Sequence, residues 1–95
     1  MSLASIFLVT TQAVAGPDSE DADGRRYPIL AFAAAESDAA AERIAREDLE
    51  ARGYIDVVVE RTGEITDPAG IPEDLRSAYE TAQKWGCALI IYDAP

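Results

Sequence analysis

The residues from 37 to 60, SDAAAERIAREDLEARGYIDVVVE, constrain the fold most strongly, because they predict one capped helix that leads directly into one strand. Ser37 is a favourable N-cap, and Asp38 places negative charge at the positive end of the helix dipole. Gly53 suits the position after the helix, since a residue without a Cβ adopts the left-handed conformation at little cost. We therefore predict a helix that begins at Ser37 and ends before Gly53, followed by a strand over 54–61.

Both predicted elements have an apolar side. Four helix residues recur at near-helical spacing and define a narrow apolar face: Ala41, Ile44, Ala45 and Leu49. The strand alternates, with Ile55, Val57 and Val59 on one side and Asp56, Val58 and Glu60 on the other. This pattern predicts that the helix and the strand share one core.

The composition limits both the size of the core and the class of partner. The chain has 95 residues, which fits a single domain over 1–95, and 48% of them are hydrophobic. Alanine accounts for 18 of the hydrophobic residues and buries little area, so a second copy of the chain would relieve a thin core. The net charge of −10 disfavours nucleic acid and anionic membrane surfaces as partners.

The chain has no histidine and only one cysteine, and this removes most catalytic and metal-binding arrangements. Zinc fingers, Ser-His-Asp triads, Cys-His pairs and an intramolecular disulfide all require residues that are missing. Cys87 opens the apolar run CALIIY, where a free cysteine is typically a small buried hydrophobe. We expect no cofactor and assign no catalytic residue.

The first fifteen residues, MSLASIFLVTTQAVA, have some features of a secretory signal. However, no Lys or Arg precedes the apolar run, and the polar residues at 10–12 interrupt it. The run at 5–10 is also too short to span a bilayer, which takes about 20 apolar residues. We interpret it as an interior strand with both faces covered, and we expect a cytoplasmic protein.

An acidic loop follows at 16–24, GPDSEDADG. If Gly24 is aligned with the sixth position of an EF-hand, the twelfth position is Leu30, where a bidentate glutamate is required. We therefore predict no calcium site and a solvated, mobile connection.

Three further elements follow from the remaining sequence. Tyr27 begins the apolar run YPILAFAAA, which predicts a strand over 27–35. Thr62 and Gly63 separate VVER from EIT in the way that a short hairpin turn would. A helix over 72–85 and a strand over 87–92 complete the chain, with Gly86 as the stop between them.

The second helix has the clearest apolar stripe in the chain. Its members recur at helical spacing: Leu75, Ala78, Tyr79, Ala82 and Trp85. This spacing predicts that Trp85 is a core anchor, whose replacement by alanine would cost about 3–5 kcal/mol.

From Tyr27 onward, the predicted order is strand, helix, strand, short strand, helix, strand, which is that of a two-layer ferredoxin-like α+β sandwich. The N-terminal strand would be an addition to this sheet. Because strand-helix-strand crossovers are right-handed, both helices would lie on one face and leave the other free for a second copy of the chain. The alternative is a three-layer α/β fold with a mainly parallel sheet.

The function most consistent with this composition is a non-catalytic, dimeric interaction or regulatory module. A small histidine-free enzyme or ligand binder, and an acidic inhibitor or immunity-type protein for a cationic partner, are the alternatives. Candidate binding residues are five: Asp56, Glu60, Arg61, Tyr54 and Tyr92. Asp56 and Glu60 are about 13 Å apart along an extended strand, beyond the roughly 5–9.5 Å of paired glycosidase carboxylates.

Overall fold

A computed structural model describes residues 5–20 and 22–92, which form one four-stranded sheet with two helices. The strands are β1 (Ser5–Ala15), β2 (Arg26–Ala35), β3 (Tyr54–Glu64) and β4 (Cys87–Ile91). The helices are α1 (Asp38–Ala51) and α2 (Glu73–Trp85), and a short 3-10 turn, Pro68–Gly70, precedes α2. Asp21 of the acidic loop and the residues at 1–4 and 93–95 lie outside the described residues.

The sheet order is β3-β1-β2-β4, and every neighbouring pair is antiparallel. The ferredoxin-like prediction is therefore wrong, and so is the mainly parallel sheet of the alternative. The N-terminal strand is not an addition, because β1 lies in the interior and pairs with β2 on one side and β3 on the other. It continues to Ala15 because Thr11 is buried and its hydroxyl donates to the Ile29 carbonyl at 2.9 Å, which satisfies a polar group inside the sheet.

The two helices cover opposite faces of the sheet, so the prediction that both lie on one face is also wrong. Phe7 and Val9 of β1 pack in a cluster with Ala41 and Ala45 of α1. The neighbouring residue Ile6 points the other way and packs in a cluster with Ala82 of α2. The right-handed rule applies to crossovers between parallel strands, whereas α2 joins β3 to β4, which run in opposite directions.

The helix α1 begins and ends as the sequence predicts. The side chain of Ser37 accepts a hydrogen bond from the Ala40 amide at 3.1 Å, and Ala41, Ala45 and Leu49 are fully buried. Gly53 has a φ of +91°, and a Cβ at this position would lie 2.3 Å from the Asp18 carbonyl carbon.

The strand β3 runs without a break from Tyr54 to Glu64, so the predicted hairpin turn at 62–63 is wrong. Gly63 pairs with Leu8 in the ladder between β1 and β3. Two irregularities in this ladder insert extra residues into β3, and Asp56 has a φ of +51° at one of them. These bulges break the predicted alternation, because Val57 packs under α1 while Ile55 and Val58 are exposed.

The helix α2 ends at the predicted stop, where Gly86 has a φ of +96°. Leu75, Ala78, Tyr79 and Ala82 pack toward the sheet, but Trp85 is 74% exposed. The core-anchor prediction for Trp85 is wrong, because this residue lies in the last turn at the margin of the stripe. Its ring instead lies 5.3 Å from the Lys84 ammonium.

None of the described helices is long and apolar enough to cross a membrane.

Candidate interaction surface

The helix α2 covers only half of its face of the sheet. It packs on β4, β2 and part of β1, and within the described residues it does not reach β3. The residues beneath it are Ile6, Leu8, Phe32, Ala34, Ala88 and Ile90. Beyond the row of Leu8, only Ile90 at the β4 edge packs in the α2 cluster, so the part of this face formed by β1 and β3 is left open.

We call this uncovered area the open patch. The registers place Thr10 between Leu30 and Arg61, Gln12 between Pro28 and Val58, and Val14 between Arg26 and Ile55. The open patch is defined as Thr10, Gln12, Val14, Pro28, Leu30, Ile55 and Val58. Its centre is mostly apolar, with Ile55 51% exposed and Val58 46% exposed. Because these exposed apolar side chains are adjacent on one face of the sheet, they form a candidate contact surface.

Charged side chains of both signs form the rim of the open patch. Arg26 pairs with the Asp56 carboxylate and also donates to its backbone carbonyl at 3.3 Å. Gln12 donates from Nε2 to the Glu60 carboxylate at 3.1 Å. Arg61 is exposed and makes no ion pair with any residue that the structure describes. Two guanidiniums and two carboxylates give this rim no net charge, although the chain as a whole carries −10.

The structure brings together three of the five candidate binding residues. Asp56, Glu60 and Arg61 lie along β3 at the rim of the open patch. Tyr92 follows β4 at the opposite edge of the sheet, where its amide donates to the Pro28 carbonyl at 3.0 Å. Tyr54 is only 4% exposed and belongs to a cluster beneath α1, so it does not share a surface with Asp56, Glu60 and Arg61.

The residues that β1 and β2 contribute to the open patch could not be predicted from local sequence patterns. The sequence predicts strands over 5–10 and 27–35, and it indicates no surface role for Val14 or Leu30. Their partial exposure depends on where α2 stops along the sheet, and the sequence contains no local signal for that position. Arg26, which directly follows the acidic loop in the sequence, pairs with Asp56 of β3 across the strand β1.

A second concave feature lies along the free edge of β4, and we call it the edge groove. It has a volume of about 440 Å³ and lies between the end of α1 and the outer side of α2. Its lining residues are Arg52, Asp74, Ser77, Ala78, Thr81, Cys87, Ala88, Leu89 and Ile90.

The single cysteine of the edge groove is poorly suited to nucleophilic chemistry. Burial, together with the nearby Asp48 carboxylate, raises the pKa of the Cys87 thiol to about 12. At neutral pH this group is a protonated thiol, and the thiolate is the form that attacks electrophiles. Asp48 itself accepts from the Arg52 Nε at 3.3 Å.

Two polar side chains of the acidic loop, those of Ser19 and Asp23, form hydrogen bonds with residues close in the sequence. The Tyr27 hydroxyl donates to the Asp23 carboxylate, and this hydrogen bond lowers the pKa of Asp23. Ser19 is buried and donates to the Gly16 carbonyl at 2.7 Å. Across 5–20 and 22–92, no group of three or more potential metal ligands comes together.

Comparisons of the chain with protein-family models, with curated proteins and with solved structures found no match.

Proposed function

We propose that this protein is a non-catalytic interaction module that works as a homodimer, with the open patch as its interface. The observation that carries the proposal is the pair of half-exposed aliphatic side chains, Ile55 and Val58, on the half of the sheet face that α2 leaves uncovered. The sequence placed the dimer on a helix-free face, but both faces carry a helix. The proposed interface is therefore restricted to the open patch and its rim.

The charge of the rim favours a second copy of this chain as the occupant. Two molecules of net charge −10 repel each other over most of their surfaces. At the open patch the rim is balanced, with Arg26 and Arg61 against Asp56 and Glu60. A two-fold arrangement then places the unpaired guanidinium of Arg61 near a carboxylate of the other copy, where the pairing offsets part of the desolvation cost.

The size of the open patch sets the expected strength of the dimer. Three strands, each about 4.8 Å wide, and three rows of side chains, which recur every second residue and so about every 6.6 Å, give a patch of roughly 15 by 20 Å. Standard interfaces bury roughly 800 Å² per partner, so this patch is small. We expect a reversible dimer with fast exchange, whose population rises with concentration and falls when the apolar centre is made polar.

The direct test is the mass in solution by light scattering over a range of concentrations, for the parent and two variants. Val58→Glu places a charge in the centre of the open patch, and Trp85→Glu places the same charge on an exposed apolar residue outside it. The parent and Trp85→Glu should approach twice the mass of one chain, whereas Val58→Glu should remain monomeric. Its melting temperature should match that of the parent at low concentration, where both are monomers. A parent that is monomeric at submillimolar concentration, or two variants that behave alike, would contradict the proposal.

A further inference from the structure

Among the described residues no strand pairs with the outer edge of β4, which presents backbone groups in a regular pattern. The Gly86 carbonyl accepts from the Ala34 amide at 2.8 Å, and the Tyr92 amide donates to the Pro28 carbonyl at 3.0 Å. Because alternate residues of an antiparallel strand bond to the same neighbour, the even-numbered positions from 86 to 92 face β2. The N–H and C=O groups of Cys87, Leu89 and Ile91 therefore point away from the sheet.

The two edges of the sheet differ in how they are protected. The strand β3 has two bulges and several charged side chains, and both features discourage the addition of another strand. The strand β4, CALII, has neither a charge nor a proline, and its ladder with β2 is regular. An apolar, regular edge is a template for strand pairing.

The edge groove gives this unprotected strand two walls. The Arg52 end of α1 lies on one side, and Ser77 and Thr81 of α2 lie on the other. Asp74, in the first turn of α2, adds a negative charge near the end of the groove that Ile90 lines. The groove is therefore apolar along the strand, with the Asp74 carboxylate at the end that Ile90 lines and the Arg52 guanidinium, which pairs with Asp48, on the wall formed by α1.

We propose that the edge groove binds an extended segment of another protein, which adds to β4 as a fifth, antiparallel strand. The segment is uncharged in its middle and has a basic residue at its N-terminal end, which antiparallel pairing places near Asp74. A single segment fits better than a second copy of β4, because a second copy would bring its own α1 and α2 walls into the same narrow space. This site goes beyond the proposed dimer, since it uses a different surface and a different partner.

The test uses a synthetic probe, the acetylated and amidated peptide Lys-Val-Thr-Val-Thr-Val, titrated into isotope-labelled protein. A matched peptide has N-methyl groups on the alternate amides that would pair with β4. We expect saturable shifts at the amides of Cys87, Leu89 and Ile91, and an affinity at least about tenfold lower for the methylated peptide, because its pairing hydrogen bonds are lost.

A pair of protein variants separates backbone pairing from side-chain contact. Ile91→Pro removes an outward N–H while it keeps the bonds of its neighbours to β2, and Ile91→Ala keeps that N–H but shortens an exposed side chain. Peptide binding should be lost in Ile91→Pro and retained in Ile91→Ala. If Ile91→Pro does not fold, the methylated peptide decides the question with the parent protein.

Three results would overturn the inference. The first is equal affinity for the two peptides or no binding of either, and the second is a set of shifts confined to Ile55 and Val58. The third is strong exchange protection of the Leu89 amide in the free protein at dimer-forming concentration, which would show that a second copy occupies the edge. None of these results depends on the light-scattering outcome for Val58→Glu, so the two proposals fail separately.

Discussion

The two faces of the sheet are covered by helices of nearly equal length, yet the face under α1 is covered more fully than the face under α2. With 14 and 13 residues, α1 and α2 each extend about 20 Å. The helix α1 joins β2 to β3 and therefore crosses the central strand β1, whereas α2 packs beside the edge strand β4. The strands on which each helix packs, rather than the length of the helix, decide which part of the sheet remains available for a partner.

The side chains of the two faces reflect the same difference. Under α1, Ala31, Ala33 and Ala35 lie against Ala41 and Ala45, and all five are buried, so the helix approaches the sheet closely. Under α2, the cluster contains larger residues, but several of its members are only partly buried. We infer that the α1 face supplies most of the folding free energy, while the α2 face retains surface for binding.

The largest expected difference comes from shortening one leucine on each helix. Leu49 of α1 is fully buried against the sheet, so Leu49→Ala should lower the free energy of unfolding by about 3 kcal/mol. Leu75 of α2 is only partly buried, and Leu75→Ala should cost about 1 kcal/mol, because less apolar area is lost. Urea unfolding followed by circular dichroism measures both changes. Equal losses in the free energy of unfolding would contradict the inference that the α1 face supplies most of the stability.

The next effect concerns the contact that holds the end of α1 in place. Gly53→Ala combines a positive φ with a close approach to Asp18, so we expect a loss of about 2 kcal/mol or more. Gly24→Ala is the matched control, because Gly24 also has a positive φ but no atom lies within 4 Å of the added Cβ. Its cost should be about 1 kcal/mol. Equal melting temperatures for the two variants would show that the contact does not position α1.

Trp85→Ala should change the free energy of unfolding by less than about 0.5 kcal/mol, because the side chain is exposed and lies outside both faces. Thermal melting of the variant beside Leu75→Ala measures this. A loss of several kcal/mol would mean that Trp85 is part of the covered surface after all.

The smallest effect concerns the hydrogen bond from Tyr27, a residue of the α1 face, to Asp23 in the acidic loop. Since the folded state lowers the pKa of Asp23 from 3.8, the stability it contributes is present above about pH 4 and is lost as the pH falls through the folded pKa. The Asp23→Asn variant lacks this carboxylate, so its free energy of unfolding should fall less steeply than that of the parent as the pH is lowered below about 4. Acid unfolding curves of the two proteins measure this. The same dependence of the free energy of unfolding on pH in both proteins would contradict this account.

The sequence predicts local structure well where the signals are local. The Ser37 cap, the Gly53 and Gly86 stops and the burial of Leu49 all follow from spacing and conformational preference, and the structure confirms them. The interior position of β1 follows from its continuous apolar run.

The sheet order could not be predicted, because strand pairing is a long-range choice that local patterns do not encode. An acidic segment that contains glycine at both ends suits a hairpin loop between β1 and β2 as well as a longer connection. The bulge at Asp56 is equally hidden, since it depends on the register against β1. The open patch depends on both of these features, so the sequence located its β3 residues but not those of β1 and β2.

Concentration-dependent methyl spectra test the central claim most directly, namely that the half of the sheet not covered by α2 is the surface buried on dimerisation. The methyl signals of Ile55 and Val58 should shift as the protein is diluted from submillimolar to low micromolar concentration. The methyl signals of Val9 and Leu49, which are buried between α1 and the sheet, should stay constant over the same range. Constant positions for all four signals, or shifts at Val9 and Leu49 that match those at Ile55 and Val58, would contradict the account.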